Sequence, residues 1–161
     1  MNIKRKATIV YCKDITVSKD FYTKILGFAV EMDLTSVIFF KEGIAIWQVK
    51  EGHLLKEKLG SNFNSGEGKK FELYFEVHNW QEFVDGLKNY SIEFLHETHQ
   101  EPWGQRTIRF YDPDKNIVEI AETLEDFISR MHNEGMSAKE IAKKNEISIE
   151  EVENILRSNH E

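Results

Sequence analysis

The sequence predicts an α+β fold made of one strand, one helix and three strands, repeated once and followed by a helical C-terminal extension. Three observations carry this. A strand, helix, strand succession returns about 65 residues later, two alternating strands flank Asp112-Pro113-Asp114, and after Glu122 the apolar spacing becomes helical.

Ala7 to Cys12 reads as the first strand, and Lys13-Asp14-Ile15-Thr16 leads into a helix with Phe21, Tyr22, Ile25 and Leu26 on its apolar face. Gly27 is placed to end that helix in the left-handed region, Phe28 opens the next strand, and Val37 to Phe40 and Ile44 to Val49 complete the set. The second copy runs through Glu72 to Val77, a capping box at Asn79-Trp80-Gln81-Glu82, a helix with Phe83, Val84 and Leu87, and a strand beginning at Ile92. Thr107 to Tyr111 and Ile117 to Ala121 finish it. The glycine, serine and asparagine content of His53 to Lys70 marks the boundary between copies. The expected domain is therefore residues 1–123, with modules at about 5–52 and 70–123, and the extension is 124–161.

In the extension, Leu124, Phe127, Ile128 and Met131 share one helical face that Gly135 can end. Ser137 and Glu140 form a capping box for a second helix, and Ser148 with Glu151 starts a third. Its last two helices have the spacing of a helix-turn-helix. Five basic against nine acidic residues from Leu124 onward argue against a phosphate-binding face, so a cap on the sheet or a dimer contact through Phe127, Met131, Ile141 and Ile155 is expected instead.

Composition narrows the function classes. With 40% apolar residues and 11 Phe, a core forms without disulfides or a structural metal, and the single Cys12 forms no internal bridge. A formal net charge of -7 disfavours nucleic acid and anionic membranes as partners. The basic run Met1 to Lys6 is followed by no export-signal apolar core, and no apolar stretch reaches the roughly 20 residues that span a bilayer. A cytoplasmic location is expected.

Alternation places Thr107, Arg109 and Tyr111 on one strand face and Ile117, Glu119 and Ala121 on one face of the next. Asp14-Ile15 through Asp20-Phe21-Tyr22, Leu26-Gly27-Phe28, Phe110 to Asp114, and Asn116 through Glu119 resemble the motifs of the vicinal oxygen chelate superfamily. That superfamily includes glyoxalase I, bleomycin-resistance proteins, fosfomycin-resistance enzymes and extradiol dioxygenases. The resemblance covers about residues 5–123. It implies paired βαβββ modules curled into a cleft, a homodimer and, in catalytic members, a divalent metal held by one residue from each of four strands.

Matched residue by residue, the implied ligand positions are Ala7, Ile46, Glu72 and Glu119, with Gln48 replacing Ile46 if the register slips by two. Glu72 and Glu119 keep a carboxylate and are the implied catalytic and metal-binding residues. Ala7 and Ile46 offer no donor. The cofactor expectation is accordingly a divalent metal, Mg, Mn, Ni or Zn, or none. Read without the resemblance, Glu72 pairs with Arg109 or Lys70 and Glu119 with Arg106 or Arg109, closing the sheet with ions.

For the ligand, Arg109 offers a planar fork to a carboxylate, phosphate or phosphonate. Tyr74 and Tyr111, with Ile9 and Tyr11 opposite, are expected to give the cleft aromatic walls. Thr107 shares the Arg109 face, while Trp103 and Arg106, in the run Glu101 to Arg106, are candidates for a loop over the site's mouth. His96 is a candidate acid or base, and His53, His78, His132 and His160 read as solvated. Cys12 lacks the setting of a reactive thiol.

Two functions fit these residues. One is a glyoxalase-like lyase or isomerase in which a metal polarises substrate oxygens and a glutamate moves a proton. The alternative is a non-catalytic protein that binds a small anionic or aromatic molecule, as bleomycin-resistance relatives do. A regulatory or interaction role through the extension ranks below both.

Overall fold

The computed structural model describes residues 7–59 and 72–158, and the chain divides into two compact units. The glycine-rich part of the expected boundary, the basic run at the start and His160 lie outside the described residues.

The first unit takes in the chain up to Glu72 and the turn Tyr111–Ile117. β1 (Thr8–Tyr11) leads to α1 (Ile15–Asp20), whose N-terminus is capped by the Asp14 carboxylate accepting from the Thr16 and Val17 amides at 2.8 and 3.1 Å. The helix then widens into π-type turns over Phe21–Ile25, with the Leu26 amide donating to the Phe21 carbonyl at 3.3 Å. Gly27 ends it at φ 70°, the left-handed conformation expected of it. β2 (Val30–Asp33), β3 (Val37–Phe40) and β4 (Ile44–Trp47) complete a sheet of order β1-β4-β3-β2, with β1 parallel to β4 and the other pairs antiparallel. A short helix, α2 (Leu54–Leu59), occupies part of the stretch expected to be a connection.

Phe21, Tyr22, Ile38, Phe40, Ile44 and Ile46 fill this unit's core. Tyr22 is fully buried among Phe21, Phe28 and Phe40, and its hydroxyl donates to Asp112 at 2.9 Å. Asp112 also accepts from the Asp114 and Asn116 amides and from the Asn116 side chain, so the Asp-Pro-Asp motif builds a turn around one buried carboxylate. Burial raises the pKa of Asp112, opposed by those hydrogen bonds.

The second unit repeats the pattern. β5 (Leu73–Val77), α3 (Trp80–Leu87), β6 (Phe94–Gln100), β7 (Arg106–Tyr111) and β8 (Ile117–Glu122) give a sheet of order β5-β8-β7-β6. β5 runs parallel to β8 with Tyr74 opposite Glu119, and β6 runs antiparallel to β7 with His96 opposite Arg109. The outer parallel pair and the strand order match those of the first unit, which is the repeat expected from the sequence. One local expectation fails: Asn79 adopts a left-handed backbone, φ 56°, and its side chain makes no cap, so the box at Asn79 to Glu82 does not form.

Three helices follow: α4 (Leu124–Asn133), α5 (Ala138–Asn145) and α6 (Ile149–Ser158). Thr123 caps α4, Ser137 and Glu140 form the reciprocal box on α5, and the Glu151 amide donates to Ser148 at 3.1 Å. Phe127, Ile128, Met131, Ile141, Ala142 and Val152 pack into one apolar cluster, with Ile155 partly buried against it. This corrects the expected dimer contact, because Phe127, Met131 and Ile141 are buried within the chain, in that cluster and, for Met131, also against Gly104. Among the described residues no helix is long and apolar enough to cross a membrane.

Candidate functional site

Arg109 is the centre of a polar cluster on the β5 to β8 sheet. β7 alternates so that Ile108 and Phe110 are buried on one face while Thr107 and Arg109 lie on the other. The Arg109 side chain is 22% exposed. One amino group donates to the carboxylate of Glu119 on β8, whose side chain is 6% exposed. The other donates to Glu101 Oε1 at 3.1 Å and to His96 Nε2 at 3.2 Å. A guanidinium has only donors, so His96 Nε2 must accept, and Nδ1, 2.7 Å from the Glu97 carbonyl, carries the imidazole proton. The β6 register shifts beside His96, and such irregularities re-aim side chains.

Thr107 is fully buried and its hydroxyl donates to the same Glu101 oxygen at 3.2 Å. Glu101 follows the end of β6, and its amide donates to the Gln105 carbonyl at 2.9 Å while its carbonyl accepts from the Gly104 amide at 2.8 Å. This tight loop is held from behind. Gln105 Nε2 donates to the Glu122 carbonyl at 2.7 Å and to the Tyr74 hydroxyl at 3.3 Å, and Gln105 Oε1 accepts from the Trp103 indole at 3.1 Å. Tyr74 and Trp103 are 48% and 41% exposed, so both present ring surface beside the cluster. The Tyr74 hydroxyl donates to Glu76 at 2.7 Å, and partial burial together with that acceptor pushes its pKa up to about 12.

A second ion cluster fastens the loop to α4. Glu122, almost wholly buried, accepts from Arg130 Nε at 2.9 Å and Nη2 at 2.7 Å and from the Arg106 amide at 2.9 Å. Arg130 Nη2 also donates to the Gly104 carbonyl at 2.6 Å, and its bonds to Glu122 raise its pKa. Gly104 sits at φ 111°, where a Cβ would fall 2.8 Å from the Met131 sulfur.

Of the residues singled out in the sequence, the structure brings together Arg109, Glu119, Thr107, Tyr74 and, through Gln105, Trp103. The ion-pairing expectation for Glu119 is met by Arg109. Arg106 instead directs its guanidinium toward Glu122 and Glu134, at 3.8 and 3.9 Å. Tyr11, Tyr111 and Glu72 belong to the first unit. There Tyr11 packs on Trp47 with ring centroids 5.9 Å apart, the Lys115 ammonium lies 5.7 Å from the Tyr111 centroid, and Glu72 is exposed just ahead of β5. Glu101, Glu122 and Arg130 were not foreseen, and the only signal for Glu101 was its position beside the Pro-Trp-Gly loop.

The donor set does not fit a catalytic divalent metal. Ala7 and Ile46 carry no lone pair, and Ile46 is buried in the core opposite Val10 and Ile38. Gln48, the alternative, gives its oxygen to the Ile15 amide at 3.1 Å. Glu119 is engaged by Arg109, and among the described residues no three His, Cys, Asp or Glu side chains are grouped to hold an ion. Cys12 is buried, which pushes its thiol up to about 11, the setting of an inert thiol.

Two units of one strand order, each with an outer parallel pair, are the architecture of glyoxalase, bleomycin-resistance and dioxygenase proteins. Residues 5–125 match the family described as a glyoxalase-like domain, and the chain belongs to that family. Bacillus subtilis (strain 168) has a relative, the uncharacterized protein YraH, 28% identical over 120 residues that span 69% of this chain and 91% of the relative. A protein of unknown function from Agrobacterium tumefaciens str. C58 superposes with a TM-score of 0.62 at 30% identity, covering 77% of this chain and 97% of its own. The fosfomycin resistance protein FosX from Mesorhizobium loti shares the fold, with a TM-score of 0.56 at 14% identity over 78% of this chain and 98% of its own. The family match stops at the start of α4, so Arg130 and Met131 lie beyond it.

Proposed function

We propose that this protein binds a small anionic or aromatic molecule on the Arg109 face of its second sheet and does so without a metal. The observation that carries the reading is the Arg109 fork, held in one orientation by Glu119, Glu101 and His96 and flanked by the exposed rings of Tyr74 and Trp103. A fork immobilised beforehand loses little side-chain freedom when it engages a ligand, so each hydrogen bond counts for more of its full strength. The aromatic rings supply apolar contact area with few rotatable bonds. The buried Glu119 carboxylate orients the guanidinium.

The competing reading, a metal-dependent lyase or isomerase using Glu72 and Glu119, rests on two retained carboxylates and lacks donors at Ala7 and Ile46. Elemental analysis of protein purified without chelator or added metal separates the two. Stoichiometric Mg, Mn, Ni or Zn that disappears in Glu72→Ala would overturn the metal-free reading. Binding itself is tested by thermal unfolding with a panel of aromatic carboxylates and phosphonates, where stabilisation in the wild type and none in Arg109→Gln is expected. A cytoplasmic homodimer is part of this proposal, checked by fractionation and by light scattering.

A further inference from the structure

We propose that Glu101 is an internal stand-in for the ligand: it occupies an oxyanion subsite formed by Arg109 and Thr107, and the carboxylate of an aromatic acid displaces it on binding. The inference rests on the reading of Arg109 given above and names the ligand class. A single oxygen of Glu101 accepts from two donors, Arg109 Nη1 at 3.1 Å and the Thr107 hydroxyl at 3.2 Å. Convergent donors on one carboxylate oxygen are what a carboxylate ligand requires. The Thr107 hydroxyl is wholly buried and points at that oxygen, so without Glu101 or a replacement its donor would be left unmatched.

The two glutamates on Arg109 are not equivalent. Glu119 lies within β8, paired along its length with β5, and its side chain is enclosed. Glu101 lies in the loop after β6, and its side chain is more open to solvent than that of Glu119. Glu101 is therefore the exchangeable partner. Its backbone need not move, because the Gln105 carbonyl, the Gly104 amide and the Arg130 bond to Gly104 hold the loop while the side chain rotates out. A carboxylate replacing a carboxylate leaves the charge around the guanidinium unchanged once Glu101 reaches water, so no new desolvated charge is created. Tyr74 and Trp103, bridged by Gln105, lie beside this position with exposed rings, which is why an aromatic acid is specified.

The test is calorimetric titration of benzoate into the full chain as wild type, Glu101→Gln, Glu101→Asp and Arg109→Gln, with phenylphosphonate as a parallel arm. Glu101→Gln removes the competing charge and is expected to bind benzoate roughly tenfold more tightly than wild type, about the effect of one charge-assisted hydrogen bond. Glu101→Asp, too short to reach both donors, is expected to tighten binding in the same direction and serves if the glutamine variant fails to fold. Equal or weaker binding by the folded Glu101 variants, or no benzoate binding by them at all, overturns the proposal. If Arg109→Gln alone abolishes binding in that case, the reading of Arg109 survives and only the role of Glu101 falls; if Arg109→Gln changes nothing, both fall. Phenylphosphonate binding more tightly than benzoate overturns the assignment to carboxylates.

Discussion

Arg109 and Glu119 hold each other in a setting where neither is well solvated, and this makes the pair sensitive to loss of one member. Removing the guanidinium leaves a carboxylate with 6% exposure without its fork, so Arg109→Gln is expected to cost about 2–4 kcal/mol in urea unfolding. In Arg109→Gln/Glu119→Gln most of that loss should return, a coupling read from a double-mutant cycle. Independent losses that simply add would show the pair to be incidental. Cys12 gives a pH prediction. Its thiol is pushed up to about 11 by burial, with Ser18 opposing and the carboxylates of Asp114, Asp112 and Asp14 assisting. A raised pKa means the folded state retains the proton that the unfolded chain releases near 8.5. The stability this contributes is complete below that pH and fades as pH rises toward 11. Alkaline unfolding of wild type should therefore steepen over that window relative to Cys12→Ala, and iodoacetamide should label the native thiol slowly at pH 8.

At the scale of elements, the informative unit is the loop Glu101 to Gln105 together with α4. Arg130 reaches across 26 residues to Gly104 and across 8 to Glu122, and Met131 fills the space where Gly104 lacks a side chain. Gly104→Ala is expected to lose about 1–3 kcal/mol, from its positive φ and the contact with the buried Met131. Arg130→Gln should lose about 3–5 kcal/mol, because Glu122 then stays buried without its fork. Thermal unfolding measures both, and a loss below about 0.5 kcal/mol would mean that α4 does not fasten the loop. Deleting the chain after Thr123 removes the same contacts and should weaken any ligand held at Arg109. At this scale the sequence is legible where the determinants are local. Gly27, the Ser137 box and the strands around Asp112 to Asp114 depend on neighbours within a few residues, where spacing and turn chemistry are sufficient. The box at Asn79 does not form because backbone handedness, not residue type, decides whether a side chain can cap. The widening at Phe21–Ile25 and the helix Leu54–Leu59 left no pattern distinct from ordinary helix or loop.

For the whole molecule, the repeat was legible because each unit restates the same order of elements, and its two sheets have the same strand sequence. The site was legible by half. Strand alternation assigned Arg109 and Glu119 each to a face of its own strand, and their pairing was one of the two open to Glu119, whereas Glu101, Glu122 and Arg130 act through long-range partners that no local pattern announces. The extension shows the same division: its apolar spacing predicted three helices correctly, but the burial of Phe127, Met131 and Ile141 depends on how the three fold onto one another and, for Met131, on Gly104. The central claim is that the Arg109 fork binds a small anion without a metal. Benzoate titration of chelator-treated wild type against chelator-treated Arg109→Gln tests it most directly. Saturable binding that survives the chelator and is lost in Arg109→Gln is the predicted result, whereas binding that requires added Mn or Zn, or that persists in Arg109→Gln, would contradict it.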